Sequence, residues 1–209
     1  MNREKFGNLF WGLHYHFIYD KRRSLAIDVG GCAGTYSKMY ACLFDTVKLF
    51  EPNENWIDTL NRRVPENVEI INTGLWNIET TLQFQPVNKT NGEPRGLSTF
   101  KQSAIDDLKN RDPDYALGQP IQLNVRTLDS YNLSDVSFVK IDTEGSEVEV
   151  LQGMLDTLQR CRPTLQIEIF PGNYKKILDL LQDISYTDIH AFNNYDMFDN
   201  VFLPTEKVS

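Results

Sequence analysis

The apolar positions along the chain change rhythm three times. Residues 2–20 read as an amphipathic helix rich in aromatics: Phe6, Phe10, Trp11, Tyr15 and Phe17. From residue 25, short apolar runs with β-branched residues alternate with helical stretches. Segments 25–29, 47–50 and 68–71 predict strands, and 35–44 and 53–63 predict the helices between them. This βαβαβ order argues for a parallel sheet with helices on both faces.

Residues 80–126 interrupt that rhythm. Segments 81–85 and 122–126 alternate apolar and polar residues, as strands exposed on one face do. Between them lies a polar stretch with Asn91-Gly92, Pro94, Gly96 and Pro113, holding at most one short helix near 103–111. It reads as an inserted loop framed by an extra strand pair. Loops of this length are functional or disordered, and both readings stand at this point.

The alternation then resumes. Segment 136–141 predicts a strand. Ser146 with Glu149 three residues on makes a capping box. Val148, Leu151, Leu155 and Leu158 then form one apolar face of a single helix, which Arg160 and Arg162 suit at its end and Pro163 stops. A strand at 164–169, a helix at 174–184 and a closing antiparallel hairpin of 186–192 with 201–203 complete the pattern. No internal repeat or low-complexity tract is visible.

Length and charge narrow the function classes. The 209 residues fit one domain: a helix over 1–22, a core over 25–204 and the insertion at 80–126. No apolar run approaches the length of a membrane span. A net charge of -8 supplies no field for drawing in a nucleic acid. Cys32, Cys42 and Cys161 are odd in number and without paired spacing, which fits free thiols in a reducing compartment. The first ten residues lack the apolar stretch of an export signal, so the expected compartment is the cytoplasm. The sequons at Asn88 and Asn132 are then coincidental.

Three strand ends carry candidate chemistry. The first is Asp28-Val29-Gly30-Gly31-Cys32-Ala33-Gly34-Thr35. Glycines between a strand and a helix let a ligand approach the backbone, and a helix start favours negative charge. A dinucleotide fingerprint needs glycine at 30, 32 and 35, and Cys32 and Thr35 stand at two of these. No Gly-Lys-Ser/Thr follows, so the turn is not a P-loop. An acidic residue at the strand end instead suits the ammonium group of S-adenosylmethionine. The plain alternative is a tight strand–helix turn with no cofactor. The second end is Glu51-Pro52, about 20 residues beyond the turn, where a carboxylate meets a ribose hydroxyl pair or stays solvated. The third is Lys140-Ile141-Asp142-Thr143-Glu144-Gly145. Ligands of open α/β sheets sit beyond the carboxyl ends of the strands, so Asp142 and Glu144 border a reaction site or form a charged turn. Glu168 ends the next strand as a weaker candidate or a salt-bridge partner. Neither Asn/Asp-Pro-Pro-aromatic nor Pro-Cys occurs, which argues against the common nucleobase methylation chemistries.

These residues carry a resemblance. Asp28-Val29-Gly30 with Gly34, Phe50-Glu51-Pro52, Val125-Arg126-Thr127-Leu128-Asp129, and above all the run from Val139 through Lys140-Ile141-Asp142-Thr143-Glu144-Gly145-Ser146-Glu147 to Gly153 resemble the FkbM family of S-adenosylmethionine-dependent methyltransferases. Arg162-Pro163 with Glu168 follows the same pattern. The turn departs from it, reading Gly31-Cys32-Ala33 where the family often has Ala-Asn-Ile. The resemblance implies a Rossmann-like, doubly wound seven-stranded sheet, mostly parallel with an antiparallel last strand. It implies O-methylation of a hydroxyl on a sugar or natural product. It places Asp28, Gly30 and Gly34 at the methionine moiety, Glu51 at the ribose, and Asn72, Thr73 and Gly74 near adenine.

Methyl transfer to a weakly acidic hydroxyl benefits from a base near the oxygen, and Asp142 or Glu144 is the expected one. Asp142 would also border the cofactor. Acceptor contacts are expected from Ser98, Lys140 and Glu168, with the insertion (Arg95, Ser98, Thr99, Lys101) as recognition element or surface loop. A divalent ion on Asp142, Glu144 and Glu168 is conceivable but not expected. Cysteine spacing argues against zinc, and His14 and His16 point to different helix faces. The rival reading is a non-catalytic cofactor-binding module, or an accessory subunit of a glycan-modifying assembly. A dehydrogenase is weakened by the missing third glycine.

Overall fold

The computed structural model describes residues 3–111, 114–194 and 197–208, with side chains over 11–108, 114–189 and 199–208. Helix α1 (Arg3–Tyr19) leads into β1 (Leu25–Val29), α2 (Thr35–Tyr40), β2 (Thr46–Phe50), α3 (Ile57–Arg63) and β3 (Val68–Ile71). The insertion holds β4 (Gly74–Leu75), β5 (Thr80–Phe84), β6 (Val87–Asn88), α4 (Gln102–Arg111), β7 (Ala116–Leu117) and β8 (Ile121–Arg126). The rest is β9 (Val136–Ile141), α5 (Glu147–Gln152), α6 (Leu155–Cys161), β10 (Thr164–Ile169), α7 (Tyr174–Asp183), β11 (Tyr186–Asn194), β12 (Met197–Pro204) and a final turn α8 (Thr205–Val208).

Seven strands form the central sheet in the order β11-β12-β10-β9-β1-β2-β3. The run from β10 to β3 is parallel, and β12 is antiparallel to both β10 and β11. The order reverses at β1, between β2 and β9. That switch point is where ligands enter open sheets of this kind. The expected seven-stranded, mostly parallel sheet is therefore present. The extra strand pair is also present, as β5 against β8 with β4 in a separate three-stranded sheet, and β6 with β7 forms a small ribbon.

Both faces of the central sheet are covered, and its inner strands β1 and β9 are buried along their whole length. Helices α5, α6 and α7 pack on Ile27, Val29, Val139, Ile141, Leu165, Ile167 and Ile169. On the other face α1, α2, the turns after α2 and α3 bring Leu13, Tyr40, Phe44 and Leu60 against Ala26, Val47, Leu49 and Phe138. His16 of α1 is a structural pin. Its Nδ1 meets Thr164 Oγ1 at 2.9 Å and its Nε2 meets the Arg22 carbonyl at 2.7 Å. The side chains of Phe6 and Phe10 lie outside the described residues.

Three local expectations are corrected. The helix expected over 35–44 ends at Tyr40, where shorter bonds such as Leu43 N–H to the Tyr40 carbonyl tighten the chain into turns. Residues 54–56 are a 3-10 turn ahead of α3, started by the Asn53 side chain accepting the Asn55 N–H. The single helix expected after Ser146 is broken in two, and its capping box does not form. Ser146 makes no side-chain cap, and Glu149 instead pairs with Lys101 at 2.6 Å. Glu147 takes the Gly145 N–H. The break falls at Gly153, where an added Cβ would stand 2.0 Å from the Trp76 carbonyl oxygen. Helix α6 then starts afresh on Asp129, whose carboxylate accepts the N–H groups of Asp156 (3.1 Å) and Thr157 (2.8 Å). The Asp of Val125-Arg126-Thr127-Leu128-Asp129 is thus a remote helix cap.

Candidate active site at the strand switch point

An open cleft of about 520 Å³, counted out to its mouth, lies at the carboxyl ends of β1, β2 and β9. Its floor is the turn after β1. Gly30 takes φ +83°, and an added Cβ there would stand 1.9 Å from the Asp142 carbonyl oxygen. Glycine is needed on both grounds. The three strand ends are tied by the Asp142 N–H to the Val29 carbonyl at 3.0 Å and the Gly30 N–H to the Phe50 carbonyl at 2.9 Å. Cys32 occupies the left-handed region too (φ 48°), with its side chain toward the cleft. Burial, with the charge of Glu51, pushes its thiol up to about 12, so it is a poor nucleophile.

Carboxyl groups surround this floor. Glu51 is buried and accepts the N–H groups of Cys32 and Asn53, both at 2.8 Å. Burial outweighs these two bonds and pushes it up to about 7. Asp28 lies beneath the turn and accepts the Ser37 hydroxyl at 2.5 Å. Burial likewise pushes it up to about 6. Asp142 stands at the end of β9, its Oδ2 3.0 Å from Lys140 Nζ. Lys140 Nζ is also 3.9 Å from Glu168 Oε2 and lies over the Tyr36 ring, 4.6 Å from its centre. Glu144 follows with a left-handed backbone (φ 51°), its carbonyl held by the Thr99 hydroxyl at 2.8 Å.

Of the residues expected at the site, Gly30, Glu51, Thr73, Gly74, Ser98, Asp142 and Glu144 line the cleft. Asp28, Gly34, Asn72, Lys140 and Glu168 do not. Asn72 instead donates to the Glu51 carbonyl at 2.7 Å and so fixes the turn after β3. Lys140 has no exposed surface. No group of three or more His, Cys, Asp or Glu side chains is placed to hold a metal ion among the described residues.

The insertion folds against the cleft rather than trailing from it. Ser98 Oγ accepts the Val87 N–H at 3.0 Å and the Asn53 amide at 3.2 Å, and Gln85 and Thr99 exchange backbone bonds. Arg95, Gly96 and Ser98 consequently line the cleft, with Phe84 and Phe100 in contact beside them, ring centres 4.8 Å apart. Thr99 and Lys101 serve the anchoring instead. Trp56, Phe84 and Phe100 escaped the sequence reading. Phe84 belongs to an alternating run that marks it as inward-facing, whereas Phe100 sits in the polar stretch with no pattern around it.

The arrangement offers an apolar wall for a flat ring, hydrogen-bonding carboxylates, and an excess of negative over positive charge at the cleft. The methyltransferase FkbM domain family matches residues 28–190. The hexuronic acid methyltransferase AglP of Haloferax volcanii is 29% identical over 184 residues, covering 82% of this chain and 67% of that protein. Among solved structures, methyltransferase FkbM from Methylobacillus flagellatus KT aligns with a TM-score of 0.55 at 17% identity, over 90% of this chain and 47% of that one. The present chain thus spans about half of that protein. An rRNA methylase from Streptococcus thermophilus aligns with a TM-score of 0.54 at 14% identity, over 98% and 97% of the two chains. At such identities these two structures speak for the fold alone. No described helix is long and apolar enough to cross a membrane.

Proposed function

The chain belongs to the FkbM methyltransferase family, and on that premise we propose that it transfers the methyl group of S-adenosylmethionine to a hydroxyl of a sugar or glycan. The observation that carries the reading is Asp142: a carboxylate lining the cleft at the switch point, 3.0 Å from a buried ammonium. When bound, S-adenosylmethionine supplies an activated methyl group on a sulfonium. The cleft suits it in chemistry. Gly30 lets the turn after β1 lie against the Asp142 carbonyl at the cleft floor, Glu51 offers an acceptor to ribose hydroxyls, and Phe50, Leu75 and Phe100 give an apolar wall. Asn72 fixes the turn that carries Thr73 and Gly74. Asp28 acts from beneath the turn, and Gly34 lets α2 close on α3.

The acceptor side follows from the charges. Among the described lining residues, Glu51, Asp142 and Glu144 are acidic and Arg95 is the one cation. Such a site disfavours a carboxylate as the reacting group and favours a neutral hydroxyl, which in turn needs a base. Asp142 takes the hydroxyl proton, and Glu144 orients the sugar. Ser98 and Arg95 face the acceptor from the insertion, while the folded-down insertion excludes water. The hexuronic acid of the Haloferax protein's name carries ring hydroxyls as well as a carboxylate, so a sugar acceptor is consistent with either.

Calorimetry with S-adenosylhomocysteine, followed by methyl transfer to a panel of neutral hexosides and hexuronosides, tests this. Binding is expected, with turnover on a sugar hydroxyl. Asp142→Asn should keep binding and lose turnover by 10²-fold or more. Absence of S-adenosylhomocysteine binding would sink the proposal. Binding without turnover on any sugar would favour a cofactor-binding module.

A further inference from the structure

Lys140 carries an ammonium yet has no exposed surface. An isolated buried ammonium gives up its proton. Here the packed elements supply opposite charge from several sides: Asp28 on β1, Asp142 at the end of its own strand, Glu168 on β10 and Asp199 on β12, with the Tyr36 phenol from α2 above it. Burial alone would lower Lys140, but Asp142, Tyr36, Glu168 and Asp199 together hold it well above the ordinary lysine range. Glu168 goes the same way for a different reason. Burial, then the negative Asp142 beside it, pushes it well above the usual carboxylate range. Strands β9 and β10 therefore end in two neighbouring carboxyl groups around one ammonium, and only Asp142 of the three lines the cleft.

We propose that Lys140 is a positioning residue: it never meets the acceptor, and its ammonium keeps the Asp142 carboxylate charged and aimed from the end of β9 into the cleft. Glu168 completes the arrangement on β10, its Oε2 3.9 Å from the same ammonium and its carboxyl beside Asp142. The inference rests on the reading of Asp142 as the acceptor's base. The acceptor O–H bond breaks as its O–CH3 bond forms, the proton passes to an Asp142 carboxylate oxygen, and the sulfonium departs as a neutral thioether. Solvent then takes the proton from Asp142. Lys140 keeps its own proton throughout.

The test is Lys140→Met, which keeps the chain length and removes the charge. Thermal unfolding and S-adenosylhomocysteine calorimetry report the fold and the cleft. Cofactor-product affinity is expected to stay within about twofold, because Lys140 does not line the cleft. Turnover of the sugar found in the panel above is expected to fall 10²-fold or more in kcat with little change in KM. The acid limb of its pH profile should move up by about one unit or more, since a carboxylate without its cation ionises at higher pH. An acid limb that stays in place makes Lys140 a packing residue and overturns the proposal. A second reading needs no acceptor and no change at Lys140. In Asp142→Asn, the 15N resonance of Lys140 Nζ should shift and its protons exchange faster, and an unmoved signal equally overturns the proposal. Failure of the wild type to bind S-adenosylhomocysteine would instead strike the methyl-transfer reading and leave the nitrogen measurement standing.

Discussion

The two faces of the central sheet are built from the same strands and are both buried, yet they differ in kind. Toward α5–α7, strands β1, β9 and β10 present only Ile, Val and Leu. Toward α1 and α2 the same three strands place Asp28, Lys140 and Gln166 side by side, as the pairing of Lys140 with both Asp28 and Gln166 shows. All three are buried. Helix α1 crosses this row with Gly12, where an added Cβ would stand 2.1 Å from Gln166 Oε1. The apolar face gives stability through burial. The polar row costs stability and places charge at the strand ends, where the cleft opens.

The comparison breaks if truncation on the apolar face disturbs the site as much as the fold. Ile167→Ala is expected to have the largest effect, a loss of about 2–5 kcal/mol in chemical denaturation. The folded fraction should still bind S-adenosylhomocysteine with wild-type affinity. A comparable loss of affinity would mean that the two faces are not separable.

The next effect concerns pH and sharpens the polar side. Folding raises Glu51 from an ordinary value of 4.5 to about 7. Between these values the unfolded chain has released the proton that the native protein keeps, so stability falls as pH rises through that window. The drop from this group is about 3 kcal/mol. Glu51→Gln should flatten the dependence in unfolding experiments run from pH 4.5 to 7.5. Cofactor-product affinity should run the other way, rising by up to about tenfold per pH unit below 7 as Glu51 ionises and becomes the better ribose acceptor. A pH-independent affinity would show that Glu51 does not face the ligand.

Gly153→Ala probes the seam between the core and the insertion. Its Cβ would meet the Trp76 carbonyl oxygen, and a cost of about 1–3 kcal/mol is expected in thermal unfolding. A neutral result would show that α5 and α6 slide freely past the insertion. The smallest effect belongs to Cys32→Gly. It removes a side chain from left-handed backbone and should change stability by less than about 1 kcal/mol, in the stabilising direction. Destabilisation would mean that the packing of Cys32 on Gly96 outweighs that strain.

The sequence was most legible where local chemistry and tertiary need coincide. Strands β1, β3, β9 and β10 begin and end where the apolar runs do; for β1, β9 and β10 the reason is that a parallel strand inside the sheet, covered on both faces, must be apolar for most of its length. Asp142 and Glu51 were legible because strand-end carboxylates stand out after such runs. The helix after Ser146 was misread because two remote contacts override a good local pattern. Gly153 is set by the Trp76 backbone and the new helix by Asp129, both far away in sequence. The burial of Lys140 has the same kind of cause. A lysine near a strand end looks like a substrate contact until Tyr36, Glu168 and Asp199 close around it.

The sequence by itself determined the α/β order, the position of the insertion and the three strand ends that border the cleft, since each follows from short-range periodicity and residue type. Tertiary structure alone decided which carboxyl groups face the cleft, which share a buried ammonium, and that the polar insertion folds down as a wall of the site. Those outcomes depend on pairings such as Thr99 with Glu144 and Lys140 with Glu168, made between strands and loops distant in the chain. No local pattern encodes them, because the energy of a buried charge depends on everything packed around it.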